Sequence, residues 1–140
     1  LLSKRPRIQI LYGGNGPEML KLRRINIERS EEVFEKVKAY VNVVVKHLNP
    51  KLVILFGSFA TGDINEGSDV DILVVADFKE DFLQRIGTLM KLNTFGIPVE
   101  PLGYTPEEFE AMKKDGNPFV LEVLGKGKIL YNAETSASQT

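Results

Sequence analysis

Apolar positions recur at helical spacing from Val33 through Val37, Tyr40, Val41 and Val44 to Leu48, and they predict a helix over Ser30–Leu48. Ser30 is read as its N-cap, with Glu31 and Glu32 at the positive end of the dipole. Asn49-Pro50 ends it. Lys51–Phe56 (KLVILF) is an unbroken apolar run, the mark of a strand covered on both faces, and Val70–Ala76 (VDILVVA) is a second. Between them lies a loop rich in Gly, Ser, Asn and Asp. Lys79–Asn93 returns to a helix with Phe82, Leu83, Ile86, Leu89 and Met90 on one stripe and Gly96 as its C-terminal cap. Ile97–Leu102 (IPVEPL) is a short edge strand flanked by prolines. Thr105 caps a helix that starts at Pro106 and runs through Met112. Pro118–Leu124 is a further helix and Lys128–Tyr131 a last strand. This order predicts an α/β (α+β) domain, a small mixed sheet flanked by helices.

Length adds that this is one domain. The expected organisation is a basic, flexible N-terminal segment over 1–24, a folded domain over 25–133 and a disordered tail over 134–140. Residues 1–24 carry six basic residues against Glu18, a balance of +5, and the remainder balances at −6. Such an arm on an acidic body suits nucleic acid or an acidic partner. Met19 and the Gly13-Gly14-Asn15-Gly16-Pro17 loop signal instead mark residues 1–18 as upstream of a native start, although Arg7–Tyr12 has the pattern of an edge strand. No apolar run approaches the ~20 residues of a membrane span, and with no secretory signal the chain is read as cytoplasmic.

The chain has no cysteine and a single histidine, His47. Thiol nucleophiles, Cys-ligated zinc and His-rich metal sites are excluded, so a metal here must be held by oxygen, as magnesium, manganese or calcium is. The informative stretch is Leu55–Val75, LFGSFATGDINEGSDVDILVV. Gly57 to Gly62 spells GxxxxG, but Asp63 and Ile64 stand where a P-loop has Lys and Ser/Thr. Asp63, Asn65 and Gly67 fall out of step with a calcium loop, whose twelfth place is Val74 here. Asp69 and Asp71 are two apart at the start of a strand, so both side chains leave one face, ~6.5 Å apart along it. Two like charges in an apolar setting call for a cation between them, unless Asp69 caps the loop and Asp71 is solvated at the strand mouth. Upstream, Gly57 lets a ligand approach the backbone, Ser58 offers a hydroxyl and an N–H, and Ser68 fixes the turn before the carboxylates. If Ser58–Thr61 opens a short helix, its first N–H groups add phosphate donors. Phosphate donors beside metal-binding carboxylates suit a nucleoside triphosphate with magnesium.

Gly57-Ser58, a short loop, then Ser68-Asp69-x-Asp71 and apolar residues resembles the nucleotidyltransferase superfamily that includes DNA polymerase beta. The pattern is most similar to the minimal nucleotidyltransferases of bacteria and archaea, over roughly Ser30–Tyr131. The resemblance implies a polymerase beta palm-like fold and a nucleotidyltransferase domain over 25–133. It implies that Gly57 and Ser58 hold the β- and γ-phosphates. It implies that Asp69 and Asp71 bind two magnesium ions, with manganese as a substitute, and that a third carboxylate on a neighbouring strand acts as ligand or base. Glu100 fits that place, although the family more often has Asp there; Glu107 and Glu108 are the fallback. The implied reaction moves AMP from ATP, or another NMP from its triphosphate, onto an acceptor hydroxyl and releases pyrophosphate. Extended nucleic acid is not the expected acceptor, because the chain has too few residues left to grip one. The resemblance implies instead a second copy or a small all-helical HEPN-domain partner in a toxin–antitoxin pair. An alternative from another class is a non-catalytic antitoxin that silences such a partner by contact. Lesser candidates have a bland reading first and a functional one second. His47 meets helix carbonyls or solvent, with a catalytic role as the lesser alternative; Phe56 and Phe59 pack in the core, or stack on a base; Asp63 and Glu66 are solvated; Lys126 and Lys128, beside Gly125 and Gly127, flank a hairpin-like turn, or meet phosphate.

Overall fold

A computed structural model describes residues 16–64 and 67–138, with side chains over 31–64 and 67–135. The elements in chain order are α1 (Gly16–Leu48), β1 (Leu52–Phe56), α2 (Ser58–Thr61), β2 (Val70–Val75), α3 (Phe82–Lys91), β3 (Val99–Tyr104), α4 (Pro106–Lys114), α5 (Pro118–Lys126), β4 (Lys128–Asn132) and α6 (Ala133–Ser138). The sheet order is β3-β2-β1-β4. Strands β1 and β2 pair antiparallel, as do β1 and β4, whereas β2 and β3 run parallel through the α3 crossover. The mixed sheet and its flanking helices are those the apolar pattern predicts.

Each face of the sheet buries one apolar layer. On one, Val53, Leu55, Val70, Ile72 and Val74 pack against Val37, Tyr40, Val41 and Val44 of α1. On the other, Ile54, Leu73 and Val75 pack against Phe109 of α4 and Val120 and Val123 of α5. This two-sided cover is why β1 and β2 read as continuous apolar runs rather than alternating ones. The Tyr40 hydroxyl, buried in the first layer, donates to the Leu89 carbonyl at 2.7 Å.

Local chemistry sets the helix ends. Asp81 caps α3 by accepting from the Gln84 N–H at 2.9 Å, and Thr105 and Glu108 close a capping box on α4. Asn117 accepts from the N–H groups of Phe119 and Val120 at the start of α5. Asn49 ends α1 in the left-handed region at φ 48, its N–H donating to the Val45 carbonyl.

Four expectations need correction. Helix α1 begins at Gly16, not Ser30, so the boundary after residue 24 falls inside it. Pro17 suits a first turn, and residues 18–29 hold no Gly or Pro, so extending the helix costs less than stopping it. Ala133–Ser138 is a short helix where a disordered tail is predicted; Asn132 accepts from the Glu134 N–H at 3.0 Å at its start. Leu92, in right-handed backbone, caps α3, and Gly96 (φ 72) turns the following loop instead. Lys126 ends helix α5 rather than flanking a hairpin-like turn. The Arg7–Tyr12 strand lies outside the described residues.

The outer edge of β3 has its own arrangement. The carbonyls of Pro98 and Tyr104 accept from Val70 and Ala76, so even-numbered residues of this strand face β2 and Pro101 faces away. The carbonyl of Gly103, on the same outer edge, accepts from Arg85 Nη1 at 3.2 Å.

Candidate active site

β1 delivers Gly57 at the point where the chain turns into α2. Gly57 has φ 74, a left-handed backbone that favours glycine. A Cβ there would collide with Asp71 Oδ2, so the missing side chain lets the backbone press against a carboxylate. The turn is held by the N–H groups of Ala60 and Thr61, which donate to the Gly57 carbonyl at 3.1 and 3.2 Å. The predicted short helix forms, with Ser58 buried in its first position.

Asp71 stands on β2 opposite Phe56 of β1, on the face that carries Leu73 and Val75. Asp69 precedes the first residue of that strand and Ser68 precedes it, half-buried. Ser58 is 6%, Asp69 8% and Asp71 3% exposed, and with Arg85 they are the buried polar residues among those described. Arg85 is fully employed elsewhere, in bonds to Glu108, the Glu80 carbonyl and the Gly103 carbonyl. The other three converge on one end of the sheet. Two buried carboxylates side by side are costly unless a cation or hydrogen bonds offset the charge. The donor set is all oxygen and the neighbouring backbone carries no side chain, so a hard divalent cation fits the place chemically.

Glu100 is the register partner of Asp71 across the parallel β2–β3 pair, so the two side chains share a face. Both line a cavity of about 220 Å³ with Phe56, Ile86, Met90 and Leu102. Among the described residues no group of three or more acidic or histidine side chains converges as a metal cluster. Asp71 also lines a second cavity, of about 490 Å³, with Phe56, Gly57, Ser58, Thr61, Asp63, Phe119, Glu122 and Lys126. One carboxylate thus forms part of the wall of two neighbouring spaces.

The remaining candidates sort by contact. Glu108 is bound to Arg85 Nη1 at 2.7 Å and to the Thr105 N–H at 2.8 Å, and Glu107 is exposed. The Arg85 hydrogen bonds hold the Glu108 carboxyl below its ordinary pKa of 4.5. Phe59 is buried against Phe34 with ring centroids 5.5 Å apart, and Phe56 meets Phe119 edge-on at 5.4 Å. His47 Nδ1 lies 2.9 Å from the Val43 carbonyl, as a helix-end role requires. Asp63 is exposed at the cavity rim, and Glu66 lies outside the described residues. Sequence reading gave no place in the site to Phe119 or Glu122, because only folding brings α5 to the end of β1. Among the described residues no helix is long and apolar enough to cross a membrane.

The family model described as "Polymerase beta, Nucleotidyltransferase" matches residues 35–136. A Methanocaldococcus jannaschii protein named "Putative protein adenylyltransferase MJ0604" is 34% identical over 97 residues, spanning 68% of this chain and 94% of that one. A second from the same organism, "Putative protein adenylyltransferase MJ1305", is 32% identical over 88 residues, 59% of this chain and 58% of its own length. A crystal structure of a "putative nucleotidyltransferase" from Sulfolobus solfataricus superposes with a TM-score of 0.57 at 20% identity, covering 78% of this chain and 88% of the other; it shows a shared fold.

Proposed function

The chain belongs to the polymerase beta nucleotidyltransferase family, and from that premise we propose that it is a magnesium-dependent enzyme moving AMP from ATP onto a hydroxyl of a protein partner. The observation that carries this reading is the pair of buried aspartates against the side-chain-free backbone of Gly57. The names of the Methanocaldococcus jannaschii relatives support adenylyl transfer and a protein acceptor. The donor nucleotide occupies the larger cavity, with its β- and γ-phosphates at Gly57 and Ser58; Ser68 holds the turn that aims the aspartates. Asp69 and Asp71 would hold the metal, which when bound offsets the charge of the triphosphate and polarises the phosphoryl oxygens.

The acceptor hydroxyl enters from the smaller cavity beside Glu100. Its oxygen bonds to the α-phosphorus, the bond to the bridging β-oxygen breaks, and pyrophosphate leaves with that electron pair. The hydroxyl proton passes to the Glu100 carboxylate. Catalysis by this chain is then mostly positioning, since Gly57, Ser58 and the strand-borne carboxylates fix donor and acceptor on opposite sides of Asp71.

The test is calorimetric titration of ATP in magnesium into wild-type chain and the Asp69→Asn and Asp71→Asn variants, with pyrophosphate release measured alongside. Either variant should lose release by about 10²-fold or more. Its melting temperature should hold or rise, since two like charges become one. Undiminished release from both variants would sink the proposal.

A further inference from the structure

The larger cavity has a charge pattern that the aspartates and Ser58 leave unexplained. Among the described residues lining it, Asp63, Asp71 and Glu122 are acids and Lys126 is the one cation. Lys126 is the last residue of α5, with its Nζ 3.6 Å from Glu122 Oε1 one turn earlier. Its place is set by the next residue. A Cβ on Gly127 would collide with the Val123 carbonyl and Ile54 Cγ2, and would stand 3.0 Å from the Leu55 carbonyl oxygen. The end of α5 is therefore pressed against β1, two residues before that strand delivers Gly57. The close approach that only glycine permits puts Lys126 on the wall of the space that Gly57 and Ser58 also line.

That helix end carries partial negative charge from its last carbonyls. With Glu122 and Asp63 beside it, a triphosphate entering at Gly57 meets repulsion unless a cation covers this wall. We propose that Lys126 is that cation, paired with Glu122 until nucleotide binds and then transferred to the β- and γ-phosphate oxygens. The proposal rests on the nucleotidyltransferase reading above and adds a donor-recognition residue to it. The exchange costs little. The two side chains are 69% and 66% exposed, and solvent screens such a pair, whereas an ammonium–phosphate bond is charge-assisted on both sides. Lys126 also stays with the pyrophosphate as it departs, offsetting the charge that appears when the bond from the α-phosphorus breaks.

The test compares ATP with AMP, which lacks the outer phosphates, by calorimetry in magnesium. Lys126→Ala should weaken ATP binding about tenfold or more and leave AMP within about twofold. Lys126→Arg should recover most of the loss. Glu122→Gln should tighten ATP binding in the wild-type background but not beside Lys126→Ala, the coupling expected when one residue holds the other in reserve. Equal weakening of ATP and AMP, or unchanged ATP affinity, would overturn the proposal. So would an equal gain from Glu122→Gln in both backgrounds, which marks simple repulsion. Failure of the wild-type chain to bind ATP would overturn the enzymatic reading and this one with it; that outcome appears before any Lys126 variant is made, so the two failures are told apart.

Discussion

At Gly57 a single methyl group separates two arrangements of the site. Alanine there pays for a backbone (φ 74, ψ −154) that is essentially glycine's alone, on the order of 1–3 kcal/mol, and drives its Cβ into Asp71 Oδ2. The carboxylate has to move, and displacing a reacting group by about 1 Å costs on the order of 10²-fold in rate. We expect Gly57→Ala to fold, to melt several degrees lower, and to lose transfer by that factor. Gly62→Ala is the control, since Gly62 has φ 86 but nothing within 4 Å of a new Cβ. At ψ 1 it lies in the ordinary left-handed region, so it should show a positive-φ backbone cost without a clash, with rate retained. If both variants lose activity equally, the contact with Asp71 is not what the site depends on. Residue chemistry was the most legible level of this sequence. Two aspartates two positions apart in an apolar stretch carry their own electrostatic problem, visible without coordinates. Lys126 was legible only as one of two glycine-flanked lysines that could meet phosphate; which space it lines was not, because its neighbours there come from β1 and α2, some 65 residues away in sequence.

Among elements, the joint between α3, β3 and α4 depends on Arg85, whose side chain is 9% exposed against 44% for its partner Glu108. Hydrogen bonds from Arg85 hold the Glu108 pKa below 4.5 in the folded chain. The sign follows from linkage. A lowered folded pKa means that the unfolded chain binds its proton first, so the pair stabilises fully above about pH 4.5 and progressively less as pH falls through the folded value. Solvent screening keeps the contribution at about 0.5–1 kcal/mol. Urea midpoints should therefore differ between wild-type and Glu108→Gln at pH 7 and draw together as the pH is lowered below 4.5. A gap that stays constant on acidification would remove Glu108 from the account. Element existence and type were legible from apolar periodicity, as in the runs that became β1 and β2. Element ends were less so. Ser30 has the chemistry of a cap, yet α1 passes through it, because capping preference is worth about 1 kcal/mol and is outweighed when the residues before it also favour helix.

Across the whole molecule, sheet order decides which residues meet. Placing β2 between β1 and β3 brings Gly57 to one side of Asp71 and Glu100 to the other. No local pattern encodes that adjacency; it follows from a parallel crossover joining β2 to β3 and a hairpin-like pairing of β1 with β2. The same order leaves β3 as an edge, and its outer rim has a consequence for how this protein behaves in crowded solution. An edge strand with a full row of outward N–H and C=O groups is a template on which another chain can grow cross-β structure. Here Pro101 has no N–H to offer and Arg85 already occupies the Gly103 carbonyl. Growth from that side meets a gap followed by a blocked acceptor. Pro101→Val restores the missing donor and should raise light scattering on concentrated, warmed samples while leaving the monomer folded. Equal scattering from both chains would assign the protection to the Arg85 contact on the Gly103 carbonyl rather than to Pro101. A proline that looks like a flaw in a strand thus serves as a terminator, keeping a four-stranded sheet from becoming the seed of a fibril.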